Sequence, residues 1–278
     1  MINYFDNYFD IRLIKLSDLL LHEATEHVRL DRVLGRISKD KFLNNPVIVG
    51  KYKDKLILLD GANRYSSMTS LGCKLILAQI IDYASPKTKL ETWNHIFYDL
   101  EMNDIKFFCD QNKIRYRMVS LKEGKSEMHK KFCCILCSNT FNNENILIKL
   151  PSKKDKMVEA LSNFTKHFFD KYHFDRSESE IKISDLRKYS RRKGILIIYP
   201  HFTKEQIVSL ASKGLKIPAG ITRHLIQNRV LHLKYELKKL FDDKDIVKKN
   251  DELINSITKK IDGNKVRQYQ ESVIVFDE

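Results

Sequence analysis

The chain has 278 residues and a mass of 32.8 kDa, enough for one large domain or two ordinary ones. Its 42% hydrophobic and 10% aromatic content marks a globular protein and excludes a disordered tail. No apolar run reaches the roughly 20 residues that cross a bilayer, and Met1 to Asp6 lacks the pattern of a signal peptide, so a cytoplasmic protein without a membrane partner is expected. The formal charge of +14 is spread along the chain, net +4 in residues 1–90 and net +10 beyond, with local basic runs at Arg187-Lys188 and Arg191-Arg192-Lys193. Such an excess attracts polyanions in general and specifies none.

In chain order, Ile11 to Leu16 reads as a strand, and His22-Glu23 opens a polar turn after Leu19-Leu20-Leu21. Glu26 to Ser38 has helical spacing, with Val33, Leu34 and Ile37 on one face. Pro46 to Gly50 is strand-like, Lys53-Asp54 turns, and Leu56 to Leu59 forms a second strand. Ser66 to Leu71 reads as one or two helical turns closed by Gly72, followed by a strand over Leu75 to Ile81. Pro86 suggests a boundary near Ala84 to Lys87, giving domains 1–85 and 86–278.

The middle of the chain reads as mainly helical. Met157, Val158, Leu161, Phe164, Phe168 and Tyr172 recur at helical spacing over about 154–172, a core stripe in an amphipathic helix. Ile195 to Tyr199 is a strand ended by Pro200, and Lys204 to Lys213 a helix closed by Gly214. The loop Ile217-Pro218-Ala219-Gly220 runs into Ile221 to Ile226, and a charged helix is expected over Val230 to Phe241. Cys73 and Cys109 stand alone, and Cys133, Cys134 and Cys137 cluster in what reads as a buried helix with Phe132, Ile135 and Leu136. Cys134 and Cys137 have metal-ligand spacing but no second pair to complete a tetrahedral site, so core thiols and no metal site are expected.

Three segments carry chemistry. Asp60-Gly61-Ala62-Asn63-Arg64-Tyr65 lies where a strand becomes a helix; the unpaired amides of the first turn, the helix dipole and the Arg64 guanidinium together suit a phosphate. The same residues also read as a plain turn with Asn63 as a cap. Glu23 offers a carboxylate on a turn, or simply decorates the following helix. Thr222-Arg223-His224 follows a Pro-Ala-Gly loop, where side chains converge on a cleft or decorate a surface. Phosphoryl transfer needs these parts: a polyphosphate cradle, a carboxylate near the attacking hydroxyl, and cations around the transferred group. Walker-loop and protein-kinase signatures are absent.

His22-Glu23, Asn45-Pro46-Val47-Ile48-Val49, Leu59 to Tyr65 and Leu71-Gly72 resemble the ParB/sulfiredoxin fold, and their order is most similar to the free L-serine kinases. Trp93 and His95, and the Pro218 to His224 segment, extend the resemblance. It implies an α/β (α+β) protein: a ParB/sulfiredoxin-like N-terminal domain, and a larger helix-rich α/β domain completing the serine site. The implied reaction is phosphorylation of L-serine to O-phospho-L-serine, feeding siderophore (staphyloferrin B) biosynthesis. Glu23 and Asp60 would be catalytic, and Gly61, Ala62, Asn63 and Arg64 would hold nucleotide phosphates. Trp93, Thr222, Arg223 and His224 would bind serine or complete the phosphate clamp. Archaeal relatives carry histidines where this chain has Ala62 and Asn63, so ATP is favoured as donor with ADP open, Mg2+ arriving with the nucleotide. Sulfiredoxin chemistry needs a cysteine where Ala62 stands. Chromosome-partition proteins carry a Gly-Glu-Arg-Arg box that this chain lacks. A DNA-binding regulator of a siderophore operon, ligand- or haem-responsive, is the alternative. Oligomeric state is left open, a dimer included.

Overall fold

A computed structural model describes residues 9–25, 27–130, 133–178 and 194–268. Glu26, Phe132 and the basic runs at 187–193 lie outside the described residues. The chain divides into two compact units. The first takes the chain up to Leu19, His27–Asp82, and the chain from Ile226 onward; the second takes Leu20–Glu26 and Tyr83–Leu225. The expected partition at residue 85 placed the C-terminal region with the second domain, whereas the contacts group it with the first.

The first unit is built on a sheet in the order β1-β6-β4-β5-β2, from β1 (Asp10–Lys15), β2 (Leu19–Leu21, of which Leu19 belongs here), β4 (Val47–Tyr52), β5 (Lys55–Asp60) and β6 (Leu75–Asp82). β1 and β6 run antiparallel, β4 and β6 parallel, and β4 and β5 form a hairpin. The hairpin turns at Lys53, whose φ is 56°. Val47, Val49, Ile57, Leu75, Ile76, Leu77 and Ala78 are fully buried, and each large aliphatic among them stabilises the unit by about 1.5–3 kcal/mol. Helix α1 (His27–Asp40) packs against α2 (Ala62–Ser70), with Ile37 buried on the predicted face.

The C-terminal part of this unit departs from expectation. Residues 230–241 are not an α-helix: a short bridge, β14 (Tyr235–Glu236), pairs with β3 (Phe42–Leu43), and a 3-10 turn follows at Leu237–Leu240. Left-handed backbone at His232 and Lys234 forbids a continuous helix. The amides there are claimed from outside the segment, Val230 by Gln79 Oε1, His232 by Asn45 Oδ1 and Lys234 by the Asn44 carbonyl. The helix comes later, as α7 (Ile246–Asp262), which lies along β1 with Leu253 and Ile257 buried.

The second unit, expected to be mainly helical, holds four helices and a seven-stranded sheet among the described residues. Its order is β11-β7-β12-β9-β10-β8, with β13 also paired to β7. The strands are β7 (Lys89–Tyr98), β8 (Tyr116–Met118), β9 (Cys134–Asn139), β10 (Asn145–Lys149), β11 (Phe174–Glu178), β12 (Gly194–Ile198) and β13 (Thr222–Leu225). The helices are α3 (Met102–Gln111), α4 (Leu121–Lys130), α5 (Lys154–Phe169) and α6 (Lys204–Ser212). The cysteine cluster is therefore a central strand and not a helix. An unbroken apolar run buried on both faces has no periodicity to separate the two. Three residues apart on a strand, Cys134 and Cys137 point to opposite faces; Cys134 packs with Ile96, Met128 and Leu136. Burial raises the Cys137 thiol well above its ordinary range. Phe164 and Phe168 of α5 meet Phe108 of α3 edge to face, and Phe168 meets Phe97 of β7 in the same way, covering the other face. The aromatic stripe read from the sequence is core.

Candidate active site

In the first unit, β5 ends at Asp60 and the chain swings into α2 through Gly61, with φ 102° and ψ 28°. Only glycine adopts that backbone without strain. A Cβ there would stand 2.7 Å from Val47 Cγ1 and 2.9 Å from the Arg64 guanidinium. The first amides of α2 have no partners within the helix, and the helix dipole adds a partial positive charge. Arg64, one turn in, donates to Asp60 Oδ2 at 2.8 Å. Arg229, from the segment that follows the second unit in the chain, reaches the same oxygen at 3.3 Å. Gln79 positions it: buried on β6, its amide donates to the Asn228 carbonyl at 2.9 Å while its oxygen accepts from the Val230 amide at 2.9 Å.

Two guanidiniums face one carboxylate, and Arg29 adds to the positive field at Arg64. Burial pushes the Asp60 carboxyl upward, but Arg64, Arg229 and the Gly61 amide outweigh it and hold it below the ordinary carboxylate range. Burial lowers the Arg64 guanidinium, against the pull of Asp60. Asn63 does not cap the helix; its Oδ1 is buried and without a hydrogen-bond partner. Gly61, Ala62, Asn63 and Arg64 thus sit together with Asp60 around a patch of surplus positive charge. A lone carboxylate of this kind suits a hard cation that arrives with its phosphates rather than one caged by protein.

In the second unit, Glu23 forms an isolated bridge with Ile217, and the adjacent backbone hydrogen bonds Ala24–Ile217 and Ile217–His22 are each 2.8 Å. The Glu23 carboxylate accepts a short hydrogen bond from the Gly220 amide. Gly220 has φ 74°. Its carbonyl accepts from His95 Nε2 at 2.9 Å. Thr222, Arg223 and His224 lie on β13, paired with Thr92, Glu91 and Leu90 of β7. Thr222 Oγ1 is 3.0 Å from His22 Nε2, and His224 Nε2 is 2.9 Å from the Tyr83 hydroxyl. The His22 and His224 rings meet edge to face at 5.2 Å. Arg223 lies over the Trp93 ring at 4.4 Å and pairs with Glu91 at 3.2 Å and Glu178 at 2.7 Å.

Glu23, Trp93, Thr222, Arg223 and His224 therefore share one neighbourhood of the second unit, and Asp60 to Arg64 share one of the first. Sequence reasoning missed Arg229, Gln79, Gly220, Glu91, Glu178 and the His22–Thr222 contact. Gly220 alone carried a local signal, a glycine after Pro218-Ala219; the rest are joined by pairings between distant segments.

No protein-family model matches the chain. It is 22% identical over 243 residues to the ATP-dependent L-serine kinase SbnI of Staphylococcus aureus, covering 85% of this chain and 86% of that protein. It is 24% identical over 224 residues to an ATP-dependent L-serine kinase of Staphylothermus marinus, covering 77% and 84%. Among solved structures, C-terminally truncated SbnI from Staphylococcus aureus superposes with a TM-score of 0.69 at 20% identity, over 92% of this chain and 97% of that one. A glutamate-to-alanine variant of a free serine kinase in complex with AMP superposes with a TM-score of 0.70 at 19% identity, over 84% and 95%. The chain has the fold of these proteins, and its resemblance to the serine kinases extends well beyond the motifs, over most of its length.

Proposed function

We propose that this chain is a free L-serine kinase that transfers the terminal phosphoryl group of a nucleotide, ATP before ADP, to L-serine and yields O-phospho-L-serine. The observation that carries the reading is the glycine-led turn into α2, where Arg64 and Arg229 bring more positive charge than Asp60 balances. Such a turn suits the charge of a polyphosphate. The serine Oγ attacks the terminal phosphorus, the bond to the bridging oxygen breaks, and the shortened nucleotide leaves with that oxygen. Glu23, its carboxylate held by the Gly220 amide, takes the hydroxyl proton. Gly61, Ala62, Asn63 and Arg64 hold phosphate, Asp60 lies beside it, and Mg2+ carried by the nucleotide supplies charge neutralisation. Trp93, Thr222, Arg223 and His224 form the serine side. The product would feed siderophore assembly, an extension that rests on the sequence resemblance. No observation favours the DNA-binding alternative.

Incubation with ATP, magnesium and L-serine is expected to give O-phospho-L-serine, with ADP as donor in a parallel arm. Glu23→Gln should lower turnover by about two orders of magnitude or more while nucleotide affinity stays near wild type. Failure to phosphorylate serine with either donor overturns the reading; normal turnover by Glu23→Gln overturns the role of the carboxylate.

A further inference from the structure

His95 is fully buried on β7, in a cage of Phe169, Phe174 and Tyr199 with ring centroids 4.7–5.0 Å away. A buried imidazole in an aromatic core is costly unless both nitrogens are partnered, and both are. Nε2 is 2.9 Å from the Gly220 carbonyl oxygen and Nδ1 is 3.1 Å from the Tyr199 hydroxyl. The geometry fixes the tautomer, because a carbonyl oxygen only accepts. Nε2 must carry the proton, Nδ1 must accept, and the Tyr199 hydroxyl must donate to it. Burial drives the imidazole down to about 3, against the pull of the Gly220 carbonyl, and Arg176 lowers it further. The ring is neutral at physiological pH, as this bonding requires.

The peptide unit that His95 grips belongs to the residue that holds Glu23. Gly220 gives its N–H to the Glu23 carboxylate and receives the imidazole N–H on its carbonyl. Its left-handed φ of 74° sets the directions of both, and the Arg176 guanidinium packs where a Cβ would stand, with Nη2 2.4 Å from that position. β11 places Arg176 directly opposite His95. Gly220 is thus held on three sides, its amide aimed at the carboxylate. A phenylalanine at position 95 would pack with the same rings but leave both the Tyr199 hydroxyl and the Gly220 carbonyl unclaimed.

We infer that His95 is a positioning residue for phosphoryl transfer: through the Gly220 peptide it fixes the place of the Glu23 carboxylate that receives the serine proton. The inference rests on the kinase reading above. It assigns His95 no contact with substrate, so its removal should act on turnover and leave binding alone. Small misplacements of a reacting group can cost two orders of magnitude.

Two experiments test it. In the wild-type protein with 15N-labelled histidine, the His95 ring should be the neutral Nε2–H tautomer at pH 7; an Nδ1–H tautomer or an imidazolium overturns the inference without any variant. Among variants, His95→Leu should lower kcat 10–100-fold with the KM for serine and ATP within about twofold, and His95→Gln, whose amide can donate where Nε2 does, should recover most of the loss. Equal kcat for the Leu variant and wild type, or no recovery by Gln over Leu at equal folded fraction, overturns it. Glu23→Gln runs alongside. If that variant is inactive while His95→Leu is not, the positioning role alone fails; if it is fully active, the base assignment fails and the inference with it.

Discussion

Gly61→Ala tests the phosphate turn most directly. The backbone at φ 102° lies well outside the left-handed region near 57° that an L-residue tolerates, and strain of this kind costs about 1–3 kcal/mol. The added methyl would stand 2.7 Å from Val47 Cγ1, a fully buried atom on an inner strand that has nowhere to go, and 2.9 Å from Arg64 Nε and Nη2. Relief requires either a shift of β4 or eviction of the Arg64 guanidinium from Asp60, and overpacking of this size adds about 1–3 kcal/mol. The expected loss is about 3 kcal/mol in all, a fall in melting temperature of roughly 6–12 °C for a chain of this size. If the guanidinium yields, nucleotide affinity should drop a further 10–100-fold, the value of one charge-assisted hydrogen bond to phosphate.

Gly72 provides the control. It closes the same helix at φ 78°, and a Cβ there meets nothing within 4 Å. Gly72→Ala therefore carries backbone strain without collision and should cost about 1–2 kcal/mol, with ATP affinity unchanged. Thermal melts and ATP titration calorimetry on the two variants separate strain from clash. If Gly61→Ala melts with Gly72→Ala and binds ATP like wild type, the turn is not the phosphate cradle described above.

Gln79→Leu should free the segment carrying Arg229 and weaken ATP binding about tenfold in calorimetry, leaving the Asp60–Arg64 pair intact; an unchanged affinity would remove Arg229 from the phosphate site. Asn250→Ala should cost about 2 kcal/mol in denaturant melts and speed exchange of the Leu13 amide. The Asn250 amide accepts from Leu13 N at 2.7 Å and donates to Leu13 O at 3.2 Å, so its loss strips both bonds from a buried edge-strand residue. Acid should destabilise the second unit through His95, whose folded value of about 3 lies below the ordinary 6.5. The unfolded chain binds the extra proton, so this stability is complete above pH 6.5 and is lost as pH falls toward 3, by about 2 kcal/mol at pH 5. His95→Gln should flatten that part of the melting profile between pH 7 and 5, and an equal slope in variant and wild type would contradict it.

Local signals were legible and distant pairings were not. The strand, glycine and helix around Asp60 lie within about fifteen residues, so chain order alone displayed them. Residues 230–241 misled because a charged stretch was read as a helix. Leu233, Tyr235 and Leu237 are buried at a spacing of two, which marks extended chain, and Leu240 is buried at the end of the 3-10 turn that follows. The helix that does form, α7, was hidden by a polar residue in its inward stripe, since Asn250 occupies the face that carries Leu253 and Ile257. That asparagine satisfies the backbone of β1, a strand more than 230 residues earlier, and an edge strand covered in this way gains protection against foreign pairing. The run from Cys134 to Cys137 carried no period at all, because it is buried on both faces.

Arg223 shows how the serine side must work if its guanidinium is to take the substrate carboxylate, as its sequence position suggested. It faces two carboxylates of its own, and these are unequal. The Glu178 side chain is 57% exposed and Glu91 33%, against 19% for Arg223. An exposed ion pair is worth at most about 1 kcal/mol, so a substrate carboxylate can displace Glu178 at small cost. Glu91, paired through the β7–β13 register and less exposed, stays to hold the guanidinium over Trp93. Glu178→Gln should therefore leave the KM for serine unchanged or lower it, while Glu91→Gln should raise it several-fold by loosening the arginine. The opposite order would mean that Glu178 is the anchor and that Arg223 does not meet the substrate.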